Sequence, residues 1–469
     1  MLGGTAGRFC SPSTSGGPFR IFAVNGFQNR TNDIVYCPPI LRQLNQNEEE
    51  STAIVYFGGD VQDFPESMET NRDSRGYMKY NLESSAVLLR NAFPRSHIII
   101  IRPVRMEFKT FSCFDNFVRG NNAGVPDHTP MNHALQHLEK LLQNLSVRLK
   151  QIPESEILAQ AAAAAAVAVA ASANAGSPSG SSINNEHASD IMQHQMDIDV
   201  LQVQETVTVN ADGAMIFPCN ETTISLQQQH QQQEQQTTQH TTITNTVTGH
   251  TTNLATELMH NNDLQFNNTD CHNLLNSRNP LWWRENLNLD KSKLVLIGFS
   301  KGCVVLNQFI YEFHYLKTLT PDDSTMIRLL SRIKDMYWLD GGHGGQKNTW
   351  ITSRSLLETL TRLGINIHVH VTPYQVQDDR RPWIRKEEKI FSDLLRRLGA
   401  PISRHLHFDS SIANLVTHFE VLQAFCQHIH LTNQQHQQAQ IQQHQQQQQL
   451  RMSGNLVENC SSSVINEEK

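Results

Sequence analysis

The sequence predicts an α/β protein in which a mostly parallel sheet carries helices on both faces and a long insertion interrupts the domain. Three observations lead there. Short apolar strand-like runs alternate with helical patterns on both sides of the middle of the chain, as right-handed β-α-β crossovers require. The two blocks that hold these runs, 19–150 and 281–431, total roughly 280 residues, a normal size for one α/β domain, and neither looks complete alone. Finally, the run from Lys293 to Leu306 is an apolar strand that breaks into Gly298-Phe299-Ser300-Lys301-Gly302 and resumes as an apolar helix.

The first block has strand candidates at Arg20 to Val24, Thr52 to Phe57 and Ile98 to Arg102, with helical patterns at Leu82 to Phe93 and His133 to Leu149. In the second, strand candidates at Leu294 to Ile297, Met336 to Leu339, Ile365 to Val371 and His405 to Phe408 interleave with helices. Those helices are expected at Ser355 to Leu363, Lys386 to Leu398 and Phe419 to His428. After Ser300, apolar residues recur at Val305, Leu306, Phe309, Ile310 and Phe313, which is helical spacing. Residues 151–280 run through poly-Ala, Gly/Ser/Pro, Gln/His and Thr/Asn-rich sequence that cannot bury enough apolar area to offset chain entropy. This segment is expected to be disordered, as are residues 1–18 and the Gln-rich tail 432–469. A surface connection tolerates such length at a small logarithmic cost.

The bulk composition excludes several classes. A formal charge of −7 with no Lys/Arg block gives no phosphate-tracking surface, so no nucleic-acid partner is expected. Eight cysteines, at 10, 37, 113, 219, 271, 303, 426 and 460, lack Cys-x-x-Cys pairs and form neither a zinc motif nor a disulfide framework. Nothing calls for a metal or a cofactor. The Ala161 to Ala171 run is too short and too weakly apolar to span a membrane. Near the N-terminus Arg8, Arg20 and Arg30 occur with Ser and Gly and no acidic residue before Asp33, a faint transit-peptide composition for which a cytosolic tail is the alternative.

The chemistry is expected around Ser300. Flanking glycines allow a serine to sit in a strained conformation on a sharp strand-to-helix turn, the nucleophile elbow of α/β-hydrolases. A serine hydroxyl needs a base to take its proton, and the base needs an acid to hold its tautomer. In that fold the order is Ser, Asp or Glu, His, each after a strand. Asp378 is the first choice for the acid and Asp379 the second, both after the Ile365 to Val371 strand. Asp340, which ends the preceding strand in Leu339-Asp340-Gly341-Gly342-His343, competes with them. His343 reads as a loop histidine. His418 is the expected base because it immediately precedes the apolar helix from Phe419, whereas His405 and His407 lie inside a strand. Oxyanion donors are expected from the Lys301 N–H and from the loop containing Gly58 and Gly59. Phe57 stands where a histidine is usual in that loop, and Asp60 brings negative charge close to it; Lys301 could offset that charge.

The pieces Phe57-Gly58-Gly59-Asp60-Val61-Gln62, Leu296 to Gly302, Tyr337 to His343, Thr372-Pro373-Tyr374-Gln375-Val376 and His418-Phe419 together resemble one family. It is the animal mitochondrial α/β-hydrolase-like family first catalogued from an open reading frame of human chromosome 2. The resemblance spans both blocks in order. It implies an α/β-hydrolase fold, a serine hydrolase role for Ser300 with Asp378 and His418, and a mitochondrial address. It names no substrate, so the expected partner is an unidentified small acyl compound. The Ala, Gln and His tracts depart from the family core.

Overall fold

The protein is described from a computed structural model. Its described residues are 17–42, 51–129, 133–160, 208–209, 215–216, 281–285, 287–320 and 322–463. Two compact units divide the chain. The first combines residues 1–194 and 280–469, so both sequence blocks belong to one unit. In the second, 195–279, Thr208–Val209 pairs antiparallel with Met215–Ile216. Most of the long insertion expected from composition thus lies outside the described residues.

Eight strands form the sheet of the first unit: β1 (Phe19–Asn25), β2 (Thr31–Cys37), β3 (Thr52–Phe57), β4 (His97–Ile101), β5 (Lys293–Phe299), β6 (Ile333–Leu339), β7 (Asn366–Val371) and β8 (Ile402–Leu406). Their spatial order is β1-β2-β4-β3-β5-β6-β7-β8. Strand β2 runs against both its neighbours, and every other pairing is parallel. The central strands Ala53–Phe57, Ile98–Ile101 and Leu294–Phe299 are buried throughout, as the continuous apolar runs of a sheet covered on both faces must be. Sequence pattern missed β2, whose first half, Thr31-Asn32-Asp33, is polar and whose end meets Pro38-Pro39. It also set the last strand about three residues late: His405 lies inside β8, while His407 and Phe408 follow it.

Consecutive residues of β6 show how the two faces are covered, because neighbouring strand side chains point oppositely. Tyr337 meets Phe425 on α8 (Leu415–Ser463), with ring centroids 5.1 Å apart, and Trp338 meets Phe391 on α7 (Pro382–Arg397) at 5.4 Å. Helix α1 (Leu82–Ala92) packs beside α8. The other layer holds α2 (Ala134–Gln151), α3 (Cys303–Leu319), α4 (Ser324–Arg332) and α5 (Arg354–Arg362), with Phe57 wedged against Phe309 and Phe117. Between the layers runs a short turn of helix, α6 (Pro373–Val376), directly after β7. Helix α8 continues through the Gln-rich stretch to Ser463, where composition predicts no ordered structure. Gln, Leu, Arg and Met rank near Ala in helix propensity, and no proline interrupts the run.

Cys37, Cys113, Cys303 and Cys426 are buried and free. Two buried histidines tie the sheet together in the neutral form. His97 shares a 2.8 Å hydrogen bond with the Tyr36 hydroxyl, and burial pushes its pKa down to about 4. His137 accepts the Phe27 N–H at Nδ1 and therefore donates from Nε2 to Asn32 Oδ1; burial pushes it down to about 3. Because both folded values lie below the unfolded value, their contribution is complete above about pH 6.5 and is lost as pH falls towards 4. Each is expected to remove about 2 kcal/mol of stability between pH 7 and pH 5. Urea unfolding at the two pH values checks this; equal stability would refute it, and His137→Gln should flatten the dependence.

Candidate active site

Strand β5 ends at Phe299, and the chain makes one 3-10 turn, Ser300–Gly302, before α3 begins. Ser300 has φ +51°, the left-handed region that side chains rarely occupy. The turn is tight against the backbone around it. A β-carbon at Gly302 would stand 2.2 Å from the Phe57 carbonyl oxygen, and one at Gly298 would stand 2.9 Å from the Cys303 nitrogen. Ser300 is therefore seated by close packing of strand, turn and helix.

The next strand ends in the same way. Asp340 follows β6 with φ +48° and is fully buried. Its own N–H donates to the His370 carbonyl. Its carboxylate receives three bonds: the Thr372 N–H at 2.7 Å on Oδ1, and the Thr372 hydroxyl and His418 Nδ1, each at 2.6 Å, on Oδ2. A buried carboxylate is costly unless so satisfied. His418 sits in the first turn of α8, buried between the rings of Phe299 and Tyr374, each with its centroid 4.8 Å away. With Nδ1–H donating to Asp340, Nε2 is left as the basic nitrogen.

Thus the carboxylate that meets His418 is Asp340, and Asp378 is placed elsewhere. Asp378 lies beyond α6 and is held by Arg381 at 2.9 Å and by the Arg380 N–H and guanidinium. Burial pushes its pKa up, but these arginine contacts pull it further down, to a net value below the ordinary one. Asp379 is exposed. Sequence reasoning passed over Thr372, whose N–H and hydroxyl both grip Asp340; its position at the end of β7, before Pro373, was the available signal. His343 is occupied within its own loop, accepting the Gly345 N–H at Nδ1 and facing the Asn348 carbonyl with Nε2; burial lowers its pKa to about 4. His407 shares a 2.8 Å bond with His370 and stacks on its ring, while His405 lies tilted between His370 and His428.

The loop after β3 differs from expectation at one donor. Gln62, fully buried, accepts both the Gly59 N–H at 2.9 Å and the Tyr56 hydroxyl at 2.8 Å, so the Gly59 N–H is committed to Gln62 and is not available to a ligand. Gly58 packs against the same Gln62 side chain, and its carbonyl lies beside Gly302. The Lys301 ammonium pairs with Asp60 at 2.9 Å and donates to the Ala123 carbonyl at 2.6 Å, so the Asp60 charge is balanced. The Lys301 N–H belongs to the first turn before α3, where backbone donors are not consumed by the helix and the dipole favours negative charge. A cavity of about 320 Å³ lies to one side, lined by Asp63, Arg102, Ser67 and Lys109 among others; Ser300, Asp340 and His418 do not line it. Among the described residues no group of three or more His, Cys, Asp or Glu is placed to hold a metal ion, and no helix is long and apolar enough to cross a membrane.

Comparison with known proteins decides the kinship. The C2orf69 family model matches residues 20–401. The chain belongs to the C2orf69 family. Relatives include the mouse mitochondrial protein C2orf69 homolog, 29% identical over 84% of this chain and 83% of its own. The human mitochondrial protein C2orf69 is 29% identical over 79% of this chain and 74% of its own, and the zebrafish homolog 25% identical over 88% and 87%. Their shared name supports the mitochondrial location. The family match includes Ser300 and Asp340 and ends before His418.

Gly302→Ala is expected to cost about 3 kcal/mol or more, because its methyl group meets backbone that cannot yield. Gly76→Ala, where a β-carbon meets nothing within 4 Å, should change stability by less than about 0.5 kcal/mol. Paired urea midpoints compare the two, and equal losses would contradict the close packing described for the turn.

Proposed function

We propose that this C2orf69-family member is a serine hydrolase on an α/β-hydrolase scaffold, cleaving an ester, thioester or amide through an acyl-enzyme on Ser300. The observation that carries this reading is the 2.6 Å bond between His418 Nδ1 and Asp340 Oδ2, made at the carboxyl end of the sheet where β5 delivers Ser300. In the reaction, His418 Nε2 takes the Ser300 proton as the serine oxygen attacks the carbonyl, and returns it to the leaving group. Water then enters, His418 takes a proton from it, and the acid product departs as Ser300 regains its hydrogen. Asp340 keeps the imidazole in the required tautomer and stabilises the imidazolium. The Lys301 N–H stabilises the developing oxyanion from the start of α3.

Further support comes from topology. The order β1-β2-β4-β3-β5-β6-β7-β8, with only β2 reversed, fits the α/β-hydrolase plan. Ser, Asp and His also occur in the chain order of that fold, and φ +51° at Ser300 suits a nucleophile elbow. A second reading is a hydrolase-fold protein that binds a mitochondrial partner without turnover. One observation favours it: Gln62 takes the Gly59 N–H and leaves the oxyanion loop with fewer donors.

A fluorophosphonate probe separates the two readings. The hydrolase reading expects labelling of the full chain, none in Ser300→Ala, and a rate about a thousandfold or more lower in Asp340→Asn, which disturbs the tautomer. Asp378→Asn should label within about twofold of wild type, since the Asp378 carboxylate is held by Arg380 and Arg381 and shares no bond with Asp340 or His418 among the described residues. A well-folded protein that does not label supports the binding reading instead.

A further inference from the structure

Asp60 is the residue that most opposes a hydrolase site here, since a carboxylate in the oxyanion loop disfavours the charge that acyl transfer creates. Its surroundings give it another role. The loop is anchored on both sides of Asp60: the Gly59 N–H is held by Gln62, and the Val61 N–H donates to the Thr110 carbonyl at 2.7 Å. Between them, the Asp60 N–H makes no hydrogen bond among the described residues. The loop passes close to the serine, because a β-carbon at Gly59 would stand 2.7 Å from Ser300 Cβ. Val61, β-branched, is held at φ +73°, a conformation that persists only where surrounding contacts enforce it.

The enforcing contacts converge on the Asp60 carboxylate. Oδ1 accepts the Ser112 N–H at 2.7 Å and the Ser112 hydroxyl at 3.1 Å, and it pairs with Lys301 Nζ at 2.9 Å. Lys301 is itself only 1% exposed, donates to the Ala123 carbonyl, and lies 4.7 Å over the Phe111 ring. One buried lysine, next in sequence to Ser300, therefore joins the serine turn, the loop after β3, the Phe111–Cys113 strand and the 120–126 loop.

We propose that Asp60 and Lys301 form a positioning pair: their ion pair turns the Asp60 N–H towards the carbonyl oxygen of an acyl group on Ser300 and cancels the carboxylate charge that would oppose the oxyanion. This rests on the hydrolase reading. The loop's oxyanion donor is then Asp60 in place of Gly59, and Asp60 and Lys301 are coupled through their opposite charges.

The test measures second-order rate constants for fluorophosphonate labelling of the full chain, with unfolding temperatures alongside. Lys301→Met leaves the carboxylate uncompensated and should slow labelling about a hundredfold, the scale of losing one oxyanion donor. Asp60→Asn with Lys301→Met restores charge balance and should recover at least about tenfold of that loss, although it restores no contact made by the ammonium. A purely structural pair would lose and regain labelling rate and unfolding temperature together; a rate regained without a matching gain in unfolding temperature marks positioning. A double variant no faster than folded Lys301→Met overturns the proposal, as does Lys301→Met labelling at the wild-type rate. If Lys301→Met does not fold, Asp60→Ala with Lys301→Met, which removes the pair whole and leaves no charge uncompensated, should slow labelling about a hundredfold, the scale of losing one oxyanion donor; a wild-type rate overturns the proposal. Failure of the wild-type chain to label removes the hydrolase reading as well, and so is distinct from the other outcomes.

Discussion

The parallel register of β3, β5, β6 and β7 is the constraint on which the site depends. Phe57 lies opposite Gly298, Phe299 opposite Leu339, and Leu339 opposite His370, so these strands reach their carboxyl ends in step. Ser300, Asp340 and Thr372 each come immediately after one of those ends. A slip of one residue would turn every side chain of a strand to the other face. The burial of both faces prevents this, because Trp338 and Tyr337 cannot exchange places without losing Phe391 and Phe425.

The site is otherwise held by buried charge and strain in balance. Asp340 and Ser300 both take left-handed backbone conformations, and each is enclosed by close contacts. Buried ionic groups are poor sources of net stability but strongly penalise arrangements that leave a partner alone. Asp340 with Thr372 and His418, and Asp60 with Lys301 and Ser112, therefore fix geometry more than they hold the domain together.

The tight strand-to-helix turn at Ser300 and the helix that carries His418 were legible because their signals are local: glycine spacing, an apolar strand before, helical periodicity after. The acid was not. Asp340 and Asp378 both follow strands, and sequence spacing cannot tell that Thr372-Pro373 folds the chain into α6 and carries Asp378 out to Arg380 and Arg381. The loss of Gly59 as a donor was equally hidden, since it depends on Gln62 folding back across three residues to accept its N–H. The parallel architecture was readable from buried β-branched runs, whereas β2, half polar and at the antiparallel end of the sheet, carried too little periodicity.

The pairing of β3 with β5 has a consequence for how the polypeptide is made. Ser51 and Ser292, whose hydroxyls bond beside the start of these central strands, are 241 residues apart in sequence. Closing so long a span costs little at equilibrium, since each doubling of a loop adds only about 0.6 kcal/mol. The burden falls on time. At synthesis rates of about 5–20 residues per second, the first half emerges with the apolar edge of β3 unpaired for roughly 10–50 s before its partner exists. An unpaired apolar strand edge is a template for aggregation, so the nascent chain has a long window in which chaperone capture competes with misassembly.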